Sequence, residues 1–132
     1  MKKKILIVIA DYYKDISSGL LSSAKKELNK PVNLIYVPGV FEIPIIIAKN
    51  IKKYDAFIAL GCVIKGQTPH FDFISKAAIN GIMKLSIKSK KPIGNGIITC
   101  LNKKQALARR KKGKEAARAV LSILNNFKWI TN

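Results

Sequence analysis

Residues 55–74 read DAFIALGCVIKGQTPHFDFI, and the first half of that stretch decides the fold. Asp55–Cys62 is apolar almost without interruption and does not alternate, which is the pattern of a strand covered on both faces. Gly66 then lets the chain turn. Thr68 is predicted to cap a helix and Pro69 to be its first residue, where a missing N–H costs nothing. From His70 to Lys88, Phe71, Ile74, Ala78, Ile82 and Leu85 recur on one stripe. A doubly buried strand handing over to an amphipathic helix is half of a parallel crossover.

The same grammar extends in both directions. Strands are predicted at Lys4–Ala10, Asn33–Val37 and Pro92–Cys100. Helices are predicted at Ile16–Asn29, Ile43–Lys52, Lys103–Arg109 and Lys114–Phe127. Strand and helix alternate, and crossovers of one hand put helices on both sides of a sheet. The expected fold class is therefore α/β, a three-layer sandwich with a four-stranded parallel sheet. With no repeat or linker, residues 1–132 are expected to form one domain. Ligands in such sheets sit beyond the carboxyl ends of the strands. That rule selects the loops Asp11–Asp15, Pro38–Pro44 and Val63–His70, and the segment from Leu101 onward.

Composition narrows the function classes. An apolar fraction of 48% with 24% charged residues excludes collagen-like, disordered and disulfide-scaffold chains. No apolar run approaches the ~20 residues that span a bilayer. Lys2–Lys4 before Ile5–Ala10 resembles a secretory leader only superficially, because Asp11 ends the short run with no cleavage pattern. Cys62 and Cys100 lie in strand-like runs and are expected to be reduced, buried thiols in a cytoplasmic protein. No Cys/His spacing suits a metal.

The formal charge of +18 suggests a polyanion partner. Arg109, Arg110 and Arg118, however, are the only arginines among 25 basic residues, and the lysines are scattered. Base-edge readers favour the arginine fork. No specific nucleic acid is expected, although a basic RNA-binding module without catalysis stands as the rival reading, as does a non-catalytic phosphate or flavin binder.

The loops carry the chemistry. Amides around Gln67 and Thr68, at a helix N-terminus, suit an anion such as phosphate. His70, the one histidine, is either an incidental surface residue or the acid/base group at that mouth. Glu42 is either a capping acid or an acceptor for ligand hydroxyls, with Phe41 beside it as a platform for a flat ring. Tyr12 or Tyr13 could stack on a planar ligand, and spacing favours Tyr12 as the ring that points inward. Arg109 is either a solvated helix charge or a fork for phosphate.

Three stretches together resemble the lumazine synthase family: VPGVFEIP at 37–44, ALGCVIKGQTPHFDFI at 59–74, and NGIITCLNKKQALAR at 95–109 followed by KKGKEAA at 111–117. The resemblance implies a flavodoxin-like fold. It also implies condensation of 5-amino-6-(D-ribitylamino)uracil with 3,4-dihydroxy-2-butanone 4-phosphate, releasing phosphate and water without a cofactor. Carried over residue by residue, it makes His70 the proton shuttle. Gln67, Thr68 and Arg109 become the phosphate clamp. Tyr12, Val40, Phe41, Glu42, Cys62, Val63, Ile64, Asn95 and Lys112 become contacts of the pyrimidine and its ribityl chain.

The family's partners are these small-molecule substrates and further copies of the chain, in pentamers with sites at subunit interfaces and sometimes in larger shells. Some positions depart from the family pattern. Asn95 stands where a neighbouring subunit commonly offers phenylalanine, Lys65 where arginine is common, and tyrosine where the first-strand aromatic is usually phenylalanine or tryptophan. The segment from Arg109 to Gly113 is shorter than in many members, and no extension precedes the first strand.

Overall fold

A computed structural model describes residues 3–66 and 70–125. Strand β1 (Ile5–Ala10) leads into helix α1 (Lys14–Leu28), β2 (Asn33–Val37), a 3-10 turn (Val40–Glu42) and α2 (Ile43–Lys49). Strand β3 (Ala56–Ile64), α3 (His70–Ser89), β4 (Ile93–Cys100), α4 (Lys103–Ala108) and α5 (Lys112–Leu124) follow. The four strands form one parallel sheet in the order β2-β1-β3-β4, flanked by helices on both faces, a flavodoxin-like three-layer α/β sandwich.

The unbroken apolar runs divide by parity. Ile5, Ile7, Ile9, Ile58 and Leu60 pack with Ile16, Leu20, Ala117 and Val120 on the side of α1 and α5. Leu6, Val8, Phe57 and Ala59 pack with Ile43, Ile47, Ala78 and Ile82 on the side of α2 and α3. All six β1 residues are buried, as a strand with helices on both faces requires. Each such aliphatic side chain contributes about 1.5–3 kcal/mol by leaving water.

Element ends depart from the expectations for local reasons. Helix α1 closes one residue early, where Asn29 adopts a left-handed conformation (φ 52°) and its N–H returns to the Lys25 carbonyl. Helix α2 stops at Lys49, and Asn50 caps it by donating from Nδ2 to the Ile46 carbonyl at 2.8 Å. Strand β3 runs two residues past Cys62 because β4 continues beside it, pairing Ile64 with Cys100. Helix α5 starts at Lys112, earlier than expected, with Gly113 inside its first turn. A Cβ on Gly113 would overlap the Leu20 carbonyl oxygen and Ser23 Oγ, so this glycine lets α5 lie directly against α1. The predicted cap at Thr68 and Pro69 and the predicted helix end at Phe127 lie outside the described residues.

The order of strands fixes where a ligand can enter. The chain leaves β1 over one face to reach β2, then returns over the other face to β3. The crossovers therefore diverge between β1 and β3, and a crevice opens at their carboxyl ends. Among the described residues, no helix is long and apolar enough to cross a membrane.

Candidate active site

Loop Asp11–Tyr13 forms one lip of the crevice. The Asp11 N–H donates to the Val37 carbonyl at 2.9 Å, and Ser17 Oγ donates to Asp11 Oδ1 at 2.8 Å. These bonds hold the loop while leaving its rings at the surface. Tyr12 is 73% exposed and meets Tyr13 edge to face, with centroids 4.8 Å apart. Tyr13, not Tyr12, is the ring that turns inward, because it packs on the core cluster of α1 and α5. Burial, then the neighbouring Tyr12 and Cys62, pushes its phenol above the ordinary value, against a smaller pull from Lys103. Tyr12 is the tyrosine left open for stacking.

The turn Val40–Glu42 makes the second lip. Val40 is buried, and Gly61 is the residue that makes room for its side chain beside β3. Phe41 is 60% exposed and lines an apolar groove of about 470 Å³ with Pro44, Ile45, Ala77 and Gly81, between α2 and α3. Glu42 occupies the N-cap position of α2 but makes no side-chain capping bond. Glu42 is half-buried at the helix N-terminus, where its charge suits the helix dipole without a capping hydrogen bond.

The end of β3 supplies the floor. Cys62, Val63 and Ile64 are half-buried, and Cys62 and Ile64 face the α1 side while Val63 faces the α3 side. Burial, then the charge and hydrogen bonding of Cys100, pushes the Cys62 thiol up to about 12. It stays protonated at neutral pH and is a poor nucleophile. His70 is the first residue of α3, exposed at the carboxyl end of the sheet. Gln67 and Thr68 lie outside the described residues. Among those described, no three His, Cys, Asp or Glu side chains gather as a metal would require.

Asn95, Arg109 and Lys112 occupy a different place, the outer edge of β4. Phe57 and Lys65 donate from their backbone N–H groups to Pro92 and Cys100, both even positions. Even positions of β4 therefore bond to β3, and odd positions turn their backbone groups outward. Asn95 Oδ1 accepts from the outward Ile97 N–H at 3.0 Å, and Arg109 Nη1 donates to the outward Thr99 carbonyl at 3.2 Å. Arg109 is the C-terminal cap of α4. With Ile97, Thr99, Lys112 and Glu115 it lines a cavity of about 490 Å³. Lys112 Nζ is held 3.3 Å from Glu115 Oε1. None of Tyr12, Phe41, Glu42 and His70 lines that cavity.

The candidate residues therefore fall into two groups, one on the loops at the carboxyl ends of β1 to β3 and one along the β4 edge. Thr99 and Glu115, which orient Arg109 and Lys112, were not singled out from sequence. Starting α5 at Lys114 hid the Lys112–Glu115 spacing of three.

Comparison with known proteins adds the family. The sequence profile of 6,7-dimethyl-8-ribityllumazine synthase matches residues 2–128. The chain is 43% identical to 6,7-dimethyl-8-ribityllumazine synthase 1 of Rhodopseudomonas palustris, over 92% of this chain and 83% of that protein. It is 41% identical to the synthase of Agrobacterium fabrum, over 93% of each. Identity to the synthase of Corynebacterium kroppenstedtii is 36%, over 95% of this chain and 85% of that protein. End-to-end agreement with proteins of one name, on the four-stranded parallel sheet described above, means that the chain belongs to the 6,7-dimethyl-8-ribityllumazine synthase family.

Proposed function

We propose that the chain condenses 5-amino-6-(D-ribitylamino)uracil with 3,4-dihydroxy-2-butanone 4-phosphate in a site assembled from the crevice of one copy and the β4 edge of the next. The observation that carries this reading is the separation of the two half-sites. Tyr12, Glu42 and His70 sit on the segments that follow β1, β2 and β3 at the carboxyl end of the sheet, whereas Arg109 and Lys112 line a cavity of their own. The reaction needs both sets at one place. A heterologous contact repeated around a ring supplies that juxtaposition at every interface. The assembly is a pentamer, and the whole of residues 1–132 acts as one domain in the cytoplasm, whose reducing poise suits two free thiols.

Chemistry follows from the groups. The pyrimidine lies on Tyr12, with Val40, Phe41 and the β3 end at its edge, and Glu42 accepts from ribityl hydroxyls. Asn95 and Lys112 of the adjoining copy close over the ring and its chain. The amine attacks the ketone carbonyl and water leaves to give a Schiff base. His70 carries protons to and from the reacting oxygen and carbon. Backbone amides of Gln67 and Thr68, with the Arg109 guanidinium, hold the phosphate as it departs. Loss of the C3 proton and of phosphate from C4 leaves an enol that takes up a proton to become a ketone; the ribitylamino nitrogen adds to that carbonyl, and a second water leaves as the lumazine ring closes. Every step is a proton transfer or an addition–elimination, so no redox cofactor is called for. Holding two substrates together supplies much of the acceleration, since effective molarities of about 10⁵ M and above are attainable.

The test is incubation of the purified protein with both substrates while lumazine absorbance is followed. Growth of that band, with release of one phosphate for each lumazine, supports the reading. Binding of the pyrimidine without product overturns it.

A further inference from the structure

Because all four strands are parallel, the segments that enter them gather at the end of the sheet opposite the crevice. Those segments are rich in lysine. Lys3, Lys4, Lys30, Lys52 and Lys53 line one basin of about 850 Å³, and Lys52 borders a second cavity with Lys88 and Lys91. The basin floor is stitched from three loops. Lys30 Nζ donates to the Lys3 carbonyl at 3.2 Å, the Lys4 N–H to Asp55 Oδ2 at 2.7 Å, and Asn33 Nδ2 to Tyr54 Oη at 2.7 Å. Lys91 Nζ donates to the Ile51 carbonyl within the second cavity, and Lys52 borders both cavities.

No carboxylate lines either cavity, and the described ion pairs involve none of these lysines. Asp55, the nearby acid, is engaged by backbone. Mutual repulsion of these ammonium groups is relieved by an anion with repeated charges, more than by a single small one, because the lysines sit on separate loops. Lysine is a flexible point charge suited to a backbone and not to base edges. Tyr54, the aromatic of the basin, is engaged by Asn33 and by an edge-to-face contact with Phe57 at 6.0 Å, so it offers no free stacking platform.

We propose that this lysine basin binds the phosphodiester backbone of nucleic acid, without reading its bases. The site is separate from the crevice and stands independently of the reaction assigned to it.

The test uses fluorescence anisotropy with a labelled oligouridylate of about 20 nucleotides, against the whole protein, across a salt series. The variant Lys3→Gln/Lys30→Gln/Lys52→Gln/Lys53→Gln is compared with Lys25→Gln/Lys49→Gln/Lys76→Gln/Lys84→Gln, which removes equal charge elsewhere. For the basin variant the expected result is at least tenfold weaker binding at about 0.1 M salt and a log–log salt slope shallower by about 3. The control should stay within about threefold of wild type, since its lysines lie outside the basin. Equal loss in both variants, or no binding by the wild-type protein at that salt, overturns the proposal. Lys53→Glu alone gives a second reading in which fold is retained and only binding should fall. Lumazine formation measured on the same samples should not change, which keeps failure of this site distinct from failure of the crevice.

Discussion

Arg109 Nη1 donates to the backbone carbonyl of Thr99 at 3.2 Å, an outward-facing group on the edge strand of the sheet. A guanidinium has five donors in a fixed fork, so this bond orients the group while leaving others for a ligand. Lys112, held 3.3 Å from Glu115, lines the same cavity, so the Arg109 guanidinium is a cation there without an ion-pair partner among the described salt bridges.

Arg109→Ala is expected to raise KM for the butanone phosphate far more than for the pyrimidine. A charge-assisted hydrogen bond of about 1.5–3 kcal/mol corresponds to roughly 10- to 150-fold. Steady-state kinetics with each substrate varied in turn checks it, and equal effects on both would remove Arg109 from the clamp.

His70→Ala is expected to lower kcat by about 10²-fold or more, the usual contribution of a positioned acid/base group. Pyrimidine affinity, read by equilibrium titration, should be little changed. Undiminished turnover would return His70 to the status of a surface histidine.

Cys62 should resist alkylation. With its thiol pushed up to about 12 by burial and by Cys100, reaction with a small maleimide near neutral pH should be slower than for an ordinary thiol by about 10³-fold. The sign of the linked stability effect also follows. The folded thiol holds its proton above the ordinary thiol value of 9.0, so its contribution is intact below that pH and is lost as pH rises from 9 towards 12. Urea midpoints compared between wild type and Cys62→Ala should show a shallower decline with pH in the variant above pH 9.

Gly113→Ala sets two effects against each other. Helix propensity favours alanine by about 1 kcal/mol. The new methyl would meet the Leu20 carbonyl and Ser23 Oγ, which itself accepts from the Lys114 N–H at 3.1 Å. Overpacking of this kind costs about 1–3 kcal/mol, so net destabilisation is expected in urea unfolding. A more stable variant would mean that α5 moves away from α1 without difficulty.

These residues also show what a sequence can and cannot reveal. The strands were readable because helices cover both faces of each inner strand, as in Ile5–Ala10, so burial leaves an unbroken apolar run. The loop after β2 was readable from the turn chemistry around Gly39, and the family from the stretches shared with it. What escaped depends on register and contact between distant segments. The edge-covering bonds of Asn95 and Arg109 follow from which parity of β4 faces β3, and no local pattern carries that. Gly113 reads as a helix breaker by propensity, and only the approach of α1 explains it inside α5. Tyr13 rather than Tyr12 meets the core because α1 begins at Lys14, two residues before the first periodic apolar position.

Mixing two impaired variants, His70→Ala and Arg109→Ala, after dissociation and joint reassembly, and assaying with butanone phosphate well below the KM of Arg109→Ala, puts the shared-site arrangement to trial. A ring in which each site draws its crevice from one copy and its edge from the next forms some sites with both halves intact. About a quarter of the wild-type activity should then return from an equimolar mixture, since heterologous contacts combine copies at random. Activity that stays at the level of the separate variants would mean that His70 and Arg109 act within one chain, and the two half-sites would not meet between copies.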